Sequence, residues 1–441
     1  TVDDPSGTRV LGTFGNCAGG PTPSGTIQSG EENFNTYFLA DASARGSRRY
    51  GLGVPTSGAT ENKWELVDQR FNATLDGFEN EPHRFGYIVE VDPSDPTSTP
   101  RKHTAMGRFK HEGANVRVDA NGTVVAYMGD DERFDYLYKF VARRKYTPGN
   151  SARARRRNLE LLTEGDLYVA KFSGEKQPVE VDNLGTGEWI PLTRDGRSLV
   201  AGFSDAEVLV FTREAADAVD ATPMDRPEDV EPSLQTGKVY VACTNNTSRG
   251  LPDNPATAQV NESLTDAPNP RPRNKDGHVI EITERGNRGD AATFSWNLFL
   301  VCGDPADGAI TTYFGGYPTP ITPISCPDNL AFDSRGTLWV ATDGQPTAIA
   351  KADGLFRVGL TGADRGKVEQ FLAVPREAET CGPVIHDRDG SVFVAVQHPG
   401  ENGSWAAQRS YFPDFVPAGE RPGRGEWRGP RPSIVQVTQK G

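Results

Sequence analysis

The sequence lacks the long apolar runs and the signature motifs that mark many protein classes. No hydrophobic stretch approaches the roughly 20 residues that are needed to span a bilayer. P-loops, G-x-S-x-G elbows and kinase motifs are absent, and the six histidines show neither HxH nor HExxH spacing. These absences exclude the commonest nucleotide, serine-hydrolase and histidine-zinc sites. They leave a different kind of metal site as the main catalytic option.

Cysteine is also scarce, with five residues at Cys17, Cys243, Cys302, Cys326 and Cys381. None belongs to a CxxC pair, which excludes zinc-ribbon and thioredoxin-type sites, and an odd number leaves at least one thiol unpaired. A chain of 441 residues does not depend on disulfides for its fold. We interpret Cys243, Cys302 and Cys326 as small buried hydrophobes.

Basic charge is outweighed by acidic charge. The chain carries 47 Lys and Arg against 60 Asp and Glu, a formal net charge of −13. This balance argues against a nucleic-acid binder, because phosphate backbones require a basic surface, and it suits cation binding. The chain begins with Thr1 and not Met, so we expect a processed or truncated form from which any export signal has been removed.

Glycine and proline are abundant, at 48 and 33 residues, and short apolar stretches recur throughout. This composition predicts an all-β fold with many turns. Eleven strands are predicted, at 85–91, 122–128, 136–141, 166–172, 237–243, 278–283, 297–302, 336–342, 354–359, 391–397 and 433–438. D-x-x-G turns at Asp119, Asp333 and Asp387 introduce three of them. Repeated units of short strands indicate propeller blades, and the length fits about six to eight.

Three stretches interrupt this pattern, and none indicates a linker to a second domain. The Arg-rich stretch 142–157 is predicted to be a solvated loop, with an anion-attracting rim as the alternative. Residues 205–218 are predicted to form a helix capped by Asp205. The proline-rich segment that follows, 221–232, is expected to lie outside the blades. We therefore predict one catalytic domain over residues 1–441.

The chemistry concentrates in polar clusters at turns and strand ends. Cys17 lies in a glycine- and proline-rich turn without strand periodicity, shortly before Glu31 and Glu32. Further clusters hold His111 with Glu112, Asp130 to Asp135, Asn245 to Arg249, Asn269 to Asn274, Asp328 with Asn329, and Glu379 with Cys381. In a propeller such strand ends converge on one mouth of the channel. Carboxylates that face one another repel and raise each other's pKa, and cations bound between them remove this repulsion.

Oxygen ligands suit calcium or magnesium, and a thiolate among carboxylates suits a transition metal such as iron. The alternative for Cys17 is a buried cysteine beside an acidic surface turn. Asp333 and Asp387 are assigned to ordinary hairpin chemistry, and Asp130 to Glu132 could equally form a solvated turn. We expect His111 and His398 to have structural or supporting roles.

Together these motifs resemble the PhoX-type alkaline phosphatases. The resemblance runs over most of the chain, through N-C-A-G-G-x-T-P-x-G-T, F-K-H-E-G-A, D-D-E-R-F-D-Y-L-Y-K-F, N-P-R-P-x-N-x-x-G-H-V-I-E, C-P-D-N-L-A-F-D and E-T-C-G-P. It implies a six-bladed β-propeller with inserted loops and a short helical excursion. It also implies hydrolysis of phosphate monoesters, and a periplasmic or secreted protein that is commonly exported through the twin-arginine (Tat) route.

The resemblance further implies a cluster of two iron ions and several calcium ions, with an oxo group that bridges the irons. The implied metal ligands are Cys17, Glu31 or Glu32, Glu112, Asp135, Asp328 and Glu379. Arg133 is similar to the family's phosphate-orienting arginine, and Arg133 and Cys17 are the predicted catalytic residues. Beside the resemblance, we expect Arg271 and Arg273 to help Arg133 in substrate binding. Ser24, Gly30 and Asp135 depart from the family's usual Trp, Cys and Glu.

These residues predict metal-assisted phosphoryl transfer to a small phosphate monoester by a monomer that binds no nucleic acid. Two other functions stay open. Calcium-dependent propellers also catalyse lactonase, phosphotriesterase or phosphodiesterase chemistry. A non-enzymatic binding propeller would keep the D-x-x-G turns but would not need Cys17 with convergent carboxylates.

Overall fold

The computed structural model describes residues 1–53, 59–149, 151–179, 183–251, 264–318, 320–417, 420 and 429–438. Antiparallel strands dominate these residues and helices are few and short, which confirms the predicted all-β class. Each of the eleven predicted stretches contains a strand. The extent of the domain over residues 1–441 stays a prediction.

The strands form four main sheets and a small hairpin. The first sheet contains β1 (Asn16–Pro21), β2 (Ile27–Glu31), β3 (Ile88–Val91) and β4 (Arg101–Lys102). The chain continues through β5 (Asn115–Val118), β6 (Val124–Gly129), β7 (Leu137–Ala142), β8 (Gly165–Ser173), β9 (Leu184–Pro191) and the hairpin β10 (Thr193–Arg194) with β11 (Arg197–Ser198). Next come β12 (Pro227–Pro232), β13 (Val239–Cys243), β14 (His278–Glu284), β15 (Thr293–Val301) and β16 (Tyr313–Phe314).

Two smaller sheets complete the set. They contain β17 (Pro327–Phe332), β18 (Leu338–Thr342), β19 (Gly354–Val358) and β20 (Val368–Ala373), then β21 (Glu379–His386), β22 (Ser391–Gln397) and β23 (Ser433–Thr438). Strands β5 to β8 and β12 to β15 are each consecutive antiparallel groups, and β9 joins the two groups into one large sheet. Apolar cores lie between neighbouring groups, for example between β13–β15 and β17–β19.

The helices are α1 (Ala152–Asn158), α2 (Glu207–Val210), α3 (Thr212–Ala218) and α4 (Gln345–Ala348). Short 3-10 turns occur at Phe34–Tyr37, Trp64–Leu66, Gln69–Phe71, Glu81–Arg84, Thr104–Met106, Arg285–Asn287, Gly362–Asp364 and Asp387–Asp389. None of these helical segments is long and apolar enough to cross a membrane. The predicted helix at 205–218 is present but broken at Phe211, where ψ is 48°. Asp205 does not cap it, because its carboxylate accepts from Arg197 and from the amide of Ser198 instead.

Two sequence predictions about the interruptions are wrong. Within the Arg-rich stretch 142–157, α1 forms because the Ser151 side chain accepts a hydrogen bond from the amide of Ala154 and caps the helix. The segment 221–232, expected outside the blades, contains the buried strand β12. Its prolines are compatible with a strand because they lie at its two ends.

Strand β12 lies at the centre of the fold, beside β6 and β17. The backbone of Gly129 at the end of β6 comes so close that a Cβ there would lie 2.1 Å from the carbonyl oxygen of Pro227. Hydrogen bonds from β5 and β17 to a side chain of β12 add to this contact. Asn115 Nδ2 donates to Asp229 Oδ1 (2.7 Å), and the amide of Leu330 donates to Asp229 Oδ2 (2.8 Å). These contacts bring the beginnings of several sheets to one place.

Candidate active site and metal centre

A cavity of about 390 Å³ opens where β1, β12, β17 and β21 meet, each of which is the first strand of a consecutive antiparallel group. Among the described residues, ten of those that line it are carboxylates and one is an arginine, Arg226. Carboxylates repel one another when they are gathered in a partly buried space, so their assembly requires compensating positive charge. The carboxylates are Glu32, Glu112, Asp131, Glu228, Asp328, Asp343, Asp353, Glu377, Glu379 and Glu401.

A shared irregularity of the first strands points side chains into this cavity. The pairing register shifts between Asn16 and Gly19 in β1, between Pro227 and Val230 in β12, and between Pro327 and Leu330 in β17. The same occurs between Cys381 and Val384 in β21. A register shift of this kind re-aims side chains, as β-bulges commonly do beside active sites. The shifts contain Cys17, Glu228 and Asp328, so Cys17 lies on a strand and not, as predicted, in a turn.

Within the part of the chain that the structure describes, two groups of side chains are close enough to hold cations. The ligand atoms of Cys17, Glu32 and Glu112 lie within 4.8 Å of one another, and so do those of Glu112, Glu228 and Asp328. Glu112 belongs to both groups and can bridge two neighbouring ions. The Cys17 thiol donates to Glu112 Oε1 over 3.1 Å.

The pKa values of these groups are raised, because burying several acidic groups beside one another disfavours their charged forms. Burial, followed by the charges of Glu228 and Glu32, raises the pKa of Glu112 well above its usual range. Burial raises the pKa of Glu228 to about 8, even though Arg226 opposes the shift. Burial and then the charge of Glu112 raise the pKa of the Cys17 thiol. Cations that displace these protons would relieve the repulsion, so the donor set fits metal binding.

Arg226 supplies the fixed positive charge of the cavity. Its Nε and Nη2 donate to the two carboxylate oxygens of Asp131 at 2.7 and 2.9 Å, and Nη2 lies 2.7 Å from Glu228 Oε1. Burial alone would raise the pKa of Asp131, but the Arg226 guanidinium outweighs it and lowers that pKa. About a fifth of the Arg226 side chain stays exposed, which lets it reach a ligand in the cavity.

Glu379 approaches the cavity from β21. Its Oε1 accepts from the Cys381 thiol (2.9 Å) and its Oε2 from Gln397 Nε2 (3.0 Å). Burial, followed by the charge of Asp343, raises the pKa of Glu379 to about 7. Its neighbour Asn329 donates to both Glu112 Oε1 (3.1 Å) and Asp328 Oδ1 (3.0 Å). Neutral donors therefore orient the carboxylates without neutralising them.

Five of the predicted metal ligands meet in the cavity, namely Cys17, Glu32, Glu112, Asp328 and Glu379. Glu31 and Asp135 are not among the described residues that line it. Glu31 is fully buried, and Lys102 Nζ donates to its Oε1 over 2.6 Å. Asp135 accepts a bidentate pair from Arg49 at 2.5 and 2.9 Å. Both carboxylates already have cationic partners.

The predicted arginines also lie away from the cavity. Arg133 has an exposed side chain, and its backbone forms a bridge with Asp225. Arg271 is buried and donates to Asn274 Oδ1 and to three backbone carbonyls. Arg273 is exposed. Of the two histidines expected to be structural, His111 is buried against a backbone carbonyl, and His398 lines the cavity.

Sequence reasoning missed Arg226, Glu228 and Asp343, which all line the cavity. A signal for Glu228 was present. The letters P-E-D-V at Pro227–Val230 match the pattern of P-D-N-L at Pro327–Leu330, each at the start of a first strand. No comparable pattern marks Asp343.

Comparison with known proteins agrees with this geometry. The family model for the alkaline phosphatase PhoX matches residues 1–400. The solved structure of Pseudomonas fluorescens PhoX in complex with vanadate, a transition-state analogue, is 36% identical and superposes with a TM-score of 0.82. That match covers 98% of this chain and 70% of the Pseudomonas chain, and it confirms a β-propeller fold. The predicted number of six blades stays a prediction.

Two further comparisons do not identify another relative of this chain. A polysaccharide lyase, Uly1, matches with a TM-score of only 0.24 at 10% identity, over 86% of this chain and 73% of that chain. Comparison with curated protein sequences gave no match. The family match over residues 1–400 and the PhoX superposition lead to one conclusion. The chain belongs to the PhoX family of alkaline phosphatases, which are phosphoric monoester hydrolases.

Proposed function

We propose that this cavity is the centre at which the protein hydrolyses small phosphate monoesters with the help of bound iron and calcium. The observation that carries the proposal is the sharing of Glu112 between a thiol-containing group and an all-carboxylate group. The first group, with Cys17 and Glu32, has the soft donor that suits iron. The second, with Glu228 and Asp328, has the oxygen donors that suit calcium.

Cys17, Glu32, Glu112, Asp328 and Glu379 would hold the ions, as the sequence predicted, with Glu228 as an added ligand. Two irons with a bridging oxo group, and several calcium ions, are proposed from the family resemblance. The roles of Glu31 and Asp135 as ligands rest on that resemblance alone. When bound, the ions supply positive charge for the phosphate oxygens and a route to an activated oxygen nucleophile.

The chain's own contribution to phosphate binding comes from Arg226. An arginine fork offers two parallel donors that match the oxygens of a phosphate group. Asp131 fixes the plane of the guanidinium through two hydrogen bonds. The carboxylates around it repel the anionic substrate unless cations neutralise them, so Arg226 and the ions must act together. Arg133 remains a candidate through the resemblance, and Arg271 and Arg273 remain the helpers that the sequence suggested.

We further propose that the protein acts in the periplasm or outside the cell, as its family does, and that it acts as a monomer. Its partners would be small phosphate esters. The alternative activities on calcium-dependent propellers are separated by substrate, since a diester, a triester or a lactone lacks the doubly charged terminal phosphate that Arg226 and the cations would bind.

The proposal is tested with protein loaded with iron and calcium, assayed in parallel on p-nitrophenyl phosphate, a diester, a triester and a lactone. We expect the monoester to be hydrolysed fastest, and a chelator or Glu112→Gln to abolish the activity. Glu284→Gln is the matched control, because it removes a buried carboxylate that pairs with Lys139, and neither residue is among the described residues that line the cavity. Equal activity of the Glu112→Gln and Glu284→Gln variants, or a preference for the lactone or triester, would refute it.

A further inference from the structure

Arg226 has an unusual backbone conformation for a residue with a long side chain. Its φ is +55°, in the left-handed region that residues other than glycine seldom occupy. Such conformations are unfavourable and persist only where the surroundings enforce them. The surroundings of its neighbour Asp225 show what enforces this one.

Asp225 is fully buried, and both of its carboxylate oxygens are held. Arg249 Nε donates to Oδ1 over 2.8 Å, and Asn274 Nδ2 donates to Oδ2 over 2.9 Å. The same Arg249 also donates through Nη2 to the carbonyl of Pro223 over 2.8 Å. Asn269 Nδ2 donates to that carbonyl over 3.1 Å. The segment immediately before Arg226 is therefore anchored at two residues.

The anchoring groups come from two of the polar clusters in the sequence, Asn245 to Arg249 and Asn269 to Asn274. Neither cluster contributes a metal ligand to the proposed site. The segments around Asn246 and Asn274 form a bridge with each other, and the amide of Arg273 donates to the carbonyl of Arg249 over 2.8 Å. Arg271 donates to Asn274 Oδ1 at 3.0 and 2.6 Å. Because its oxygen accepts from Arg271, the Asn274 amide must present its nitrogen to Asp225.

The same anchor reaches the loop that carries Asp131. The Arg249 guanidinium lies over the ring of Phe134, 4.7 Å from its centroid. The amide of Phe134 donates to the carbonyl of Met224 (2.8 Å), and the amide of Met224 donates to the carbonyl of Asp135 (2.9 Å). The segments that carry the two partners of the Asp131–Arg226 pair therefore both contact one buried cation, Arg249.

We propose that Asp225, clamped by Arg249 and Asn274, is a positioning residue that aims the Arg226 guanidinium at the phosphate group. This inference rests on the proposed role of Arg226. Loosening the clamp lets residue 226 relax toward a common backbone conformation and moves its guanidinium away from the substrate. A misplacement of about 1 Å in a positioned group can cost about 100-fold in rate, so a partial release should cost about tenfold.

The test uses Asp225→Asn, Asn274→Asp and the double variant D225N/N274D. Each single change places two groups of the same kind opposite each other, amide against amide or carboxylate against carboxylate. The double variant restores one donor and one acceptor across the contact. For all three, kcat and KM for p-nitrophenyl phosphate, the Ki of vanadate, metal content and Tm are measured. Glu284→Gln again serves as the control for loss of a buried ion pair.

We expect each single variant to lower kcat/KM about tenfold and to raise the vanadate Ki in parallel, with metal content unchanged. The double variant should recover most of both quantities. Glu284→Gln should lower Tm without changing the vanadate Ki. If a single variant does not fold, Asn274→Ala provides the same comparison, because it removes the hydrogen bond to Asp225, together with those that Asn274 accepts from Arg271, without adding a charge.

Adding Asn274→Ala to Arg226→Ala separates the two ideas. We expect no further loss of vanadate affinity, since the clamp acts through Arg226. If Arg226→Ala itself leaves the vanadate Ki unchanged, the proposed role of Arg226 fails. If Arg226→Ala weakens vanadate binding but the clamp variants do not, or if their effects simply add, the clamp inference fails and the role of Arg226 stands.

Discussion

The adjacent residues Glu31 and Glu32 should respond in opposite ways to the same substitution. Glu32 lines the cavity within 4.8 Å of the ligand atoms of Cys17 and Glu112. Glu31 points away and pairs with Lys102. We expect Glu32→Gln to lower metal content and phosphatase activity, and Glu31→Gln to lower stability while the metals stay bound.

The structure sets the size of the two effects. Glu31 is fully buried and accepts from Lys102 Nζ and from the amides of Gly86 and Tyr87. Removing its charge leaves a mostly buried ammonium without its partner, which costs about 3–5 kcal/mol in free energy of unfolding. Burial, followed by the charge of Asp131, raises the pKa of Glu32 well above its usual range. Replacing Glu32 by glutamine therefore removes charge repulsion and should not destabilise the metal-free protein.

Denaturant unfolding of both variants after chelation, with elemental analysis of the reloaded proteins, measures both effects. We expect the metal affinity of Glu32→Gln to fall about 10- to 100-fold or more, because even changes around the ligands have effects of that size. A Glu31→Gln variant that loses iron or calcium, or a Glu32→Gln variant that keeps both and is destabilised, would refute the reasoning.

Three further predictions follow from the same geometry. Asp135→Asn should lower the free energy of unfolding by about 3–5 kcal/mol through its pairing with Arg49 and leave metal content intact, as denaturant titration and elemental analysis would show. Arg226→Ala should raise the KM for p-nitrophenyl phosphate at least about tenfold, whereas Arg133→Ala, with its exposed side chain, should change it less than about twofold in steady-state assays. The chelated protein should lose stability as pH rises from about 5 to 8, because folded Glu379 and Glu228, with pKa about 7 and about 8, keep protons that the unfolded chain releases near 4.5. Reloading with calcium should make the stability depend less on pH. Thermal melts at several pH values measure this dependence, and a dependence that calcium leaves unchanged would contradict the prediction.

The sequence predicted the fold class well because its signals were local. Alternation of apolar residues and D-x-x-G turns are visible within a few residues. The turns at Asp119 and Asp333 form as expected, with the amides of Gly122 and Gly336 donating back to the aspartate carbonyls. Strand β12 was missed because its prolines resemble a loop, whereas its pairing with β13 and its buried position beside β6 and β17 make it a strand.

The site was harder to predict, since it depends on where side chains point. Glu31 and Glu32 are indistinguishable by type, and a one-residue step along β2 decides which one reaches the cavity. Asp135 is of a residue type that binds metals, but it pairs with Arg49 instead. Arg49 lies 86 residues away, so the sequence around Asp135 does not reveal this pairing. Arg226 carries no motif of its own, and its position follows from the long-range anchoring of Asp225.

The most direct measurement is anomalous X-ray diffraction from crystals of the purified protein, collected at the iron edge and at a longer wavelength for calcium. The account predicts iron within bonding distance of Cys17 Sγ and a carboxylate of Glu112, with calcium among the oxygens of Glu228 and Asp328. A cavity without anomalous density, with Cys17 Sγ still within hydrogen-bond distance of Glu112, would contradict it.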